Sequence, residues 1–132
     1  MRAVAPVFQV YRLSADQPVW WRMVSPNGRG LARTVAPHAT VDAAHVAIAV
    51  VRLRVDQLEA SLRLTERARW RWTLCLDGQP LVESAGDLDR RVRCDHAWRN
   101  FVSLAPTASV DPVVHTFRIA GEPRLMSLRG SV

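Results

Sequence analysis

Cys94, Asp95 and His96 stand side by side, and they are the three residue types of a nucleophile–base–carboxylate relay. In such a relay a thiolate attacks, an imidazole takes the proton and a carboxylate holds the imidazole in place. Adjacency works against it here. The run RRVRCDHAWRNFVSL has helical spacing, and helical neighbours one or two apart point to different sides. Cys94, Ala97, Trp98 and Phe101 form the apolar stripe of that helix, so Cys94 reads as a buried, inert thiol. His38, His45, His96 and His115 are scattered singly. Asp42 and His45 can share a helix face, but two ligands do not make a metal site. Gly28 and Gly30 lack the strand-to-helix setting of a phosphate loop. The carboxylates of DLDRR neighbour arginines and read as a solvated helix start. The sequence points away from an enzyme, and it implies no metal and no cofactor.

A second chemistry is arginine beside tryptophan, which occurs twice, in WWRMV from position 20 and in WRWTLCL from position 70. Arginine neutralises phosphate and tryptophan stacks on bases, so the pair suggests single-stranded nucleic acid. The charge balance supports an anionic partner less than it first suggests. The formal net charge is +6 and the pI is about 11.1, yet every Lys/Arg position is arginine. Together with abundant alanine and valine, this composition is what a GC-rich coding sequence produces.

The elements that must carry these residues also come in pairs. With Trp21 set against Trp72, Met23 meets Leu74, and each set alternates along its segment as one face of a strand does. Asn27-Gly28 and Asp77-Gly78 follow as hairpin turns, the second one residue sooner than the first. Extended runs at 31–35 and 81–85 complete two hairpins. A helix then follows each: Thr40 or Asp42 can cap VDAAHVAIAVVRLR, and Asp87 or Asp89 can cap the second. Ala44, Ala47, Ile48 and Val51 match the second stripe position for position, and Pro106 marks that helix's end. Residues 7–13 form a first strand. Its counterpart at 58–64 competes with a helical stripe that runs on through Val51, Val55, Leu58 and Leu62 without Gly or Pro. A second hairpin lacking its third strand would leave an unpaired edge, so a break near Val55 is expected. A final strand is expected at 113–121, and a loose tail at 121–132.

These marks together resemble the YegP-like domains. The first half supplies FQVYR, Trp21, Asn27-Gly28, Thr34 and IAVVR (Ile48 to Arg52); the second supplies Trp72, Asp77-Gly78, Ser84 and WRNFV (Trp98 to Val102). The likeness spans residues 7–106. It departs at Asp77, where the pattern has Asn, and at Trp98 and Phe101, where it has smaller aliphatics. The resemblance implies an α+β fold: two tandem βββα(β) repeats forming one antiparallel sheet with two helices packed on one face. An extra strand after each helix can be exchanged between repeats. The family brings no established catalytic residues, so none carries over. The chain of 132 residues then reads as a single pseudo-symmetric domain, repeat one at 7–57 and repeat two at 58–120.

In such a fold Trp21, Met23, Trp72 and Leu74 are core under the helices, each buried aromatic contributing about 2–3 kcal/mol. Alternation sends Gln9, Tyr11, Trp20, Arg22, Arg71 and Thr73 to the other face, with Val24 and Cys75 among them. That face, or a sheet edge, is the candidate binding surface. The partner it suggests is a second copy of the chain, as a homodimer, or an unidentified protein; weak, sequence-tolerant nucleic-acid binding ranks below these. No apolar run reaches membrane-spanning length and the first residues lack a signal-peptide core, so a cytoplasmic protein away from membranes is expected.

Overall fold

A computed structural model describes residues 5–116. Three strands, β1 (Val7–Arg12), β2 (Trp20–Val24) and β3 (Gly30–Thr34), lead into helix α1 (Val41–Leu53). A single 3-10 turn, Val55–Gln57, separates α1 from β4 (Glu59–Leu64), β5 (Trp70–Leu76) and β6 (Gln79–Ser84). Helix α2 (Arg91–Leu104), a second 3-10 turn (Ala105–Thr107) and β7 (Ser109–Thr116) follow. The strands form one seven-stranded sheet in the order β4-β5-β6-β3-β2-β1-β7. The protein is thus α+β, with one mixed sheet and two helices.

The expected break is present: α1 stops at Leu53, and the turn after it swings Leu58 into extended backbone. Three expectations are corrected. The sheet is not wholly antiparallel, because β7 runs parallel to β1, with Phe8 opposite Val110 and Val10 opposite Val114. That strand starts at Ser109 rather than at 113, since Ala108 is already extended and buried after the 3-10 turn. Its expected continuation beyond Thr116, like the tail at 121–132, lies outside the described residues. Neither Asp87 nor Asp89 caps α2. Arg90 holds that position without a side-chain bond, Asp89 pairs with Arg93 at 3.7 Å, and Asp87 is held by Arg69 at 3.3 Å. Pro106 follows the end of α2 as expected, inside the second 3-10 turn. Thr40 does cap α1, its hydroxyl accepting the Ala43 N–H at 3.0 Å.

The turns explain the one-residue offset between the hairpins. Asp77 and Gly78 both have positive φ (52° and 81°), which makes a two-residue turn matching the sheet's twist. The first hairpin has a three-residue loop, Pro26-Asn27-Gly28, with only Gly28 left-handed at φ 85°. The β4–β5 connection repeats this three-residue geometry, closed by Thr65 and Arg69, but puts Ala68 at the left-handed position with φ 60°.

One face of the sheet carries Phe8, Val10, Trp21, Met23, Ala32, Trp72, Leu74 and Val82, all buried. Ala44, Ile48 and Val51 of α1 join the same cluster as Cys94 and Phe101 of α2, so both helices cover this face. Rings run through the cluster from half to half: Trp21–Phe8 at 5.6 Å, Phe8–Phe101 at 6.5 Å and Phe101–Trp72 at 5.7 Å. Phe101→Ala should therefore lower unfolding free energy by about 3–5 kcal/mol, read as a reduced urea midpoint. Ala68→Gly should act in the opposite direction, by about 1 kcal/mol, because it relieves the left-handed alanine. Unchanged thermal melting of that variant would show that the loop carries no strain.

Candidate functional site

The sheet face away from the helices follows from strand alternation and register. Gln9 lies opposite Arg22, Arg22 opposite Arg33, Arg33 opposite Glu83, and Glu83 opposite Thr73. Ser61 extends this polar row to the β4 edge. Arg22 Nε donates to Gln9 Oε1 at 3.0 Å, and Arg33 Nε donates to Glu83 Oε2 at 2.8 Å. On one side of the row Tyr11 lies opposite Trp20, and Glu59 opposite Cys75. On the other side Val7 lies opposite Val24, and Arg63 opposite Arg71.

All six candidate residues, Gln9, Tyr11, Trp20, Arg22, Arg71 and Thr73, are on this face. They do not converge on one spot. Gln9, Tyr11, Trp20 and Arg22 are neighbours on β1 and β2; Arg71 and Thr73 lie on β5, separated from β2 by β3 and β6. Tyr11 does not offer a free ring, since it is only 5% exposed and Arg22 sits over it at 5.4 Å from the ring centre. Burial pushes its hydroxyl pKa upward, against the opposing pull of Arg22 and Arg33. Arg71 is drawn back to the sheet, donating to the Ser84 carbonyl at 2.8 Å. Sequence reading missed Arg33 and Glu83, which sit at the middle of the face. Their pairing depends on β3 meeting β6, and no local pattern encodes that contact.

The Cys94-Asp95-His96 run is not assembled as a relay. Cys94 is fully buried against the sheet, where burial, reinforced by the Asp95 charge, raises its thiol pKa. The Asp95 carboxylate is taken by Arg99 at 2.9 Å and by the Trp98 indole N–H at 3.0 Å, which hold its pKa low. His96 is exposed on the outer side of α2. Among the described residues no three His, Cys, Asp or Glu side chains cluster as metal ligands. His115 pairs with Asp111 at 3.1 Å, the carboxylate pKa being lowered first by the Val113 N–H and then by that histidine. No helix among the described residues is long and apolar enough to cross a membrane.

No protein-family model matches the sequence, and no curated protein matches it. Two solved structures match the fold. One is the solution structure of yegP from E. coli, a protein of unknown function. It shares 13% identity over 86% of this chain and 97% of that one, with a TM-score of 0.68. The other is a UPF0339 protein from Shewanella oneidensis, at 8% identity over 83% and 92% of the two chains, also with a TM-score of 0.68. The chain has the YegP-like fold. The resemblance read from paired hairpins and helices holds at that level, and at such low identity it rests on architecture rather than on shared side chains.

The thiols of this YegP-like chain test the placement of its core and outer faces. Cys75 is half-buried on the outer face, whereas Cys94 is sealed under α2. A thiol reagent should label Cys75 alone in the folded protein and reach Cys94 only on unfolding. Cys94→Ser should cost about 1–3 kcal/mol for a hydroxyl without a partner. Rapid native labelling of Cys94 would contradict this placement.

Proposed function

We propose that this is a binding protein of the cytoplasm rather than an enzyme, and that it acts as a homodimer joined along the β4 edge. We also read its two halves as copies of one strand-strand-strand-helix unit, divided after the turn at Val55–Gln57. One observation carries the dimer: β4 is complementary to itself. Glu59 and Arg63 point to the same face, two residues either side of Ser61. An antiparallel copy centred on Ser61 sets each Glu59 opposite the other copy's Arg63. Arg63 already lies directly across from Arg71, and like charges in that position are destabilising. Neither Glu59 nor Arg63 has an ion-pair partner among the described residues. The incoming carboxylate offsets that repulsion, and Leu62 and Leu64, the latter 55% exposed, gain cover.

The two sheet edges differ in a way that supports this choice. β7 carries Pro112 and the local Asp111–His115 pair, features that discourage strand addition. β4 has neither proline nor bulge, and its six residues pair regularly with β5. The rival reading, nucleic acid on the outer face, draws less support. Tyr11 is buried, and Arg22 and Arg33 are already engaged with Gln9 and Glu83.

Sedimentation equilibrium should show a concentration-dependent dimer. Arg63→Glu should shift the dissociation constant upward by at least about tenfold, on the order of 1.4 kcal/mol. Adding Glu59→Arg to that variant reverses both charges and should restore dimerisation. A strict monomer across micromolar concentrations, or a dimer indifferent to these substitutions, would rule the interface out.

A further inference from the structure

We infer that a cleft beside α2 is a binding site for a small carboxylate with a compact apolar body. The cleft holds about 300 Å³ and lies between the start of β3, the end of β6 and α2. Two buried side chains line it, Trp72 at 1% exposed and Ser84 at 2%. Each carries a buried polar atom with no hydrogen-bond partner, Trp72 Nε1 and Ser84 Oγ; Trp21 Nε1 in the first half is unpartnered as well, so Ser84 is what sets this cleft apart. A buried donor without an acceptor is costly, and native interiors rarely keep one.

The first half shows how the same hydroxyl position is satisfied internally. Thr34 and Ser84 occupy matching places across the β3–β6 pairing, Ala32 opposite Ser84 and Val82 opposite Thr34. His38 and Leu88 match as well, each forming a lone antiparallel bridge, to Val19 and to Trp70. Thr34 Oγ1 donates to the Ala36 carbonyl at 2.8 Å and lies 3.4 Å from His38 Nε2. The Leu88 side chain has no polar atom to offer Ser84, and its backbone groups are paired with Trp70. The second half keeps the hydroxyl without a hydrogen-bond partner, has leucine in place of the histidine and leaves open space beside it. A Cβ built on Gly86, another lining residue, would meet nothing within 4 Å.

The surroundings define the ligand. An indole N–H only donates, and a hydroxyl with no acceptor nearby is free to donate, so the missing group is an acceptor. Arg29 and Asn100 line the same cleft, and Arg29 has no ion pair among the described residues. Asp87 is also present, but its carboxylate is engaged by Arg69 at 3.3 Å. The available cation therefore favours an anionic acceptor, while Leu88 and Ala97 supply an apolar wall. A carboxylate accepting from Trp72 and Ser84, with Arg29 at the rim, meets each requirement.

The test is an NMR titration of the full chain, following its five tryptophan indole N–H signals. Benzoate is the probe, and benzamide is its neutral isostere. Benzoate should move the Trp72 indole signal saturably and leave that of Trp21 in place. Ser84→Ala and Arg29→Ala should each weaken binding by about tenfold, the scale of one charge-assisted hydrogen bond. Leu88→His, which places in the second half the histidine of the first, should fill the cleft and abolish binding while the fold persists. No saturable shift, equal movement of Trp21, or binding unaffected by these variants would overturn the site. Benzamide binding as tightly as benzoate would overturn the assignment to a carboxylate.

Discussion

Phe101 is the side chain on which the two halves depend. It projects from α2, yet it touches Phe8 of β1 at 6.5 Å and Trp72 of β5 at 5.7 Å. Neither half can enclose a core alone, because three strands and one helix leave too much apolar surface in water. An aromatic that contacts strands of both halves joins two marginal sets of side chains into one interior. The β7 crossover has the same effect on the backbone: the chain leaves α2, returns across the sheet and pairs with β1 at the far edge. The first half is therefore held on both sides by strands from the second.

The seam between β3 and β6 has an approximate two-fold relation centred on Arg33 and Glu83. On the helix side the seam is small and apolar, with Ala32 and Val82 flanked by the hydroxyls of Thr34 and Ser84. On the other side it is an ion pair at 2.8 Å between half-buried partners. Such a pair adds modest stability, but it penalises a register slip, since a shift of either strand by one residue would turn its charge into the core. The polar row it belongs to makes this face a poor stacking platform, whatever the aromatic content of the flanking strands.

Much of this was legible in the sequence, for reasons that can be named. The hairpins were legible because alternation and Asn-Gly or Asp-Gly turns are local signals. The break after α1 was legible only by comparing halves. Val55, Leu58 and Leu62 continue a helical stripe, and no Gly or Pro interrupts it; the need for a third strand beside β5 overrides that local preference. The parallel pairing of β7 and the β3–β6 seam were not legible, because both join segments far apart in sequence. The face assignment of Gln9, Tyr11, Trp20, Arg22, Arg71 and Thr73 followed from alternation alone. The burial of Tyr11 did not, since alternation gives the side of a sheet and not what lies over it. Aspartate near a helix start is a strong capping signal, but at α2 Arg69 and Arg93 engage both candidates, so neither caps.

The departures between the halves also follow from packing. On the sheet, Phe8 of β1 lies opposite Met23, and the corresponding place beside Leu74 is taken by Ala60 of β4. On the helices the sizes are reversed: Val51 sits where the first stripe ends, and Phe101 occupies the matching place in the second. A large strand residue under a small helix residue in one half is balanced by a small strand residue and a large helix residue in the other. Close packing tolerates such exchanges only when the total volume is conserved. The exchange also explains why Phe101 can reach Phe8: the ring that α1 does not supply near the seam is supplied by α2. The two halves are not interchangeable in packing, and the interior needs one of each.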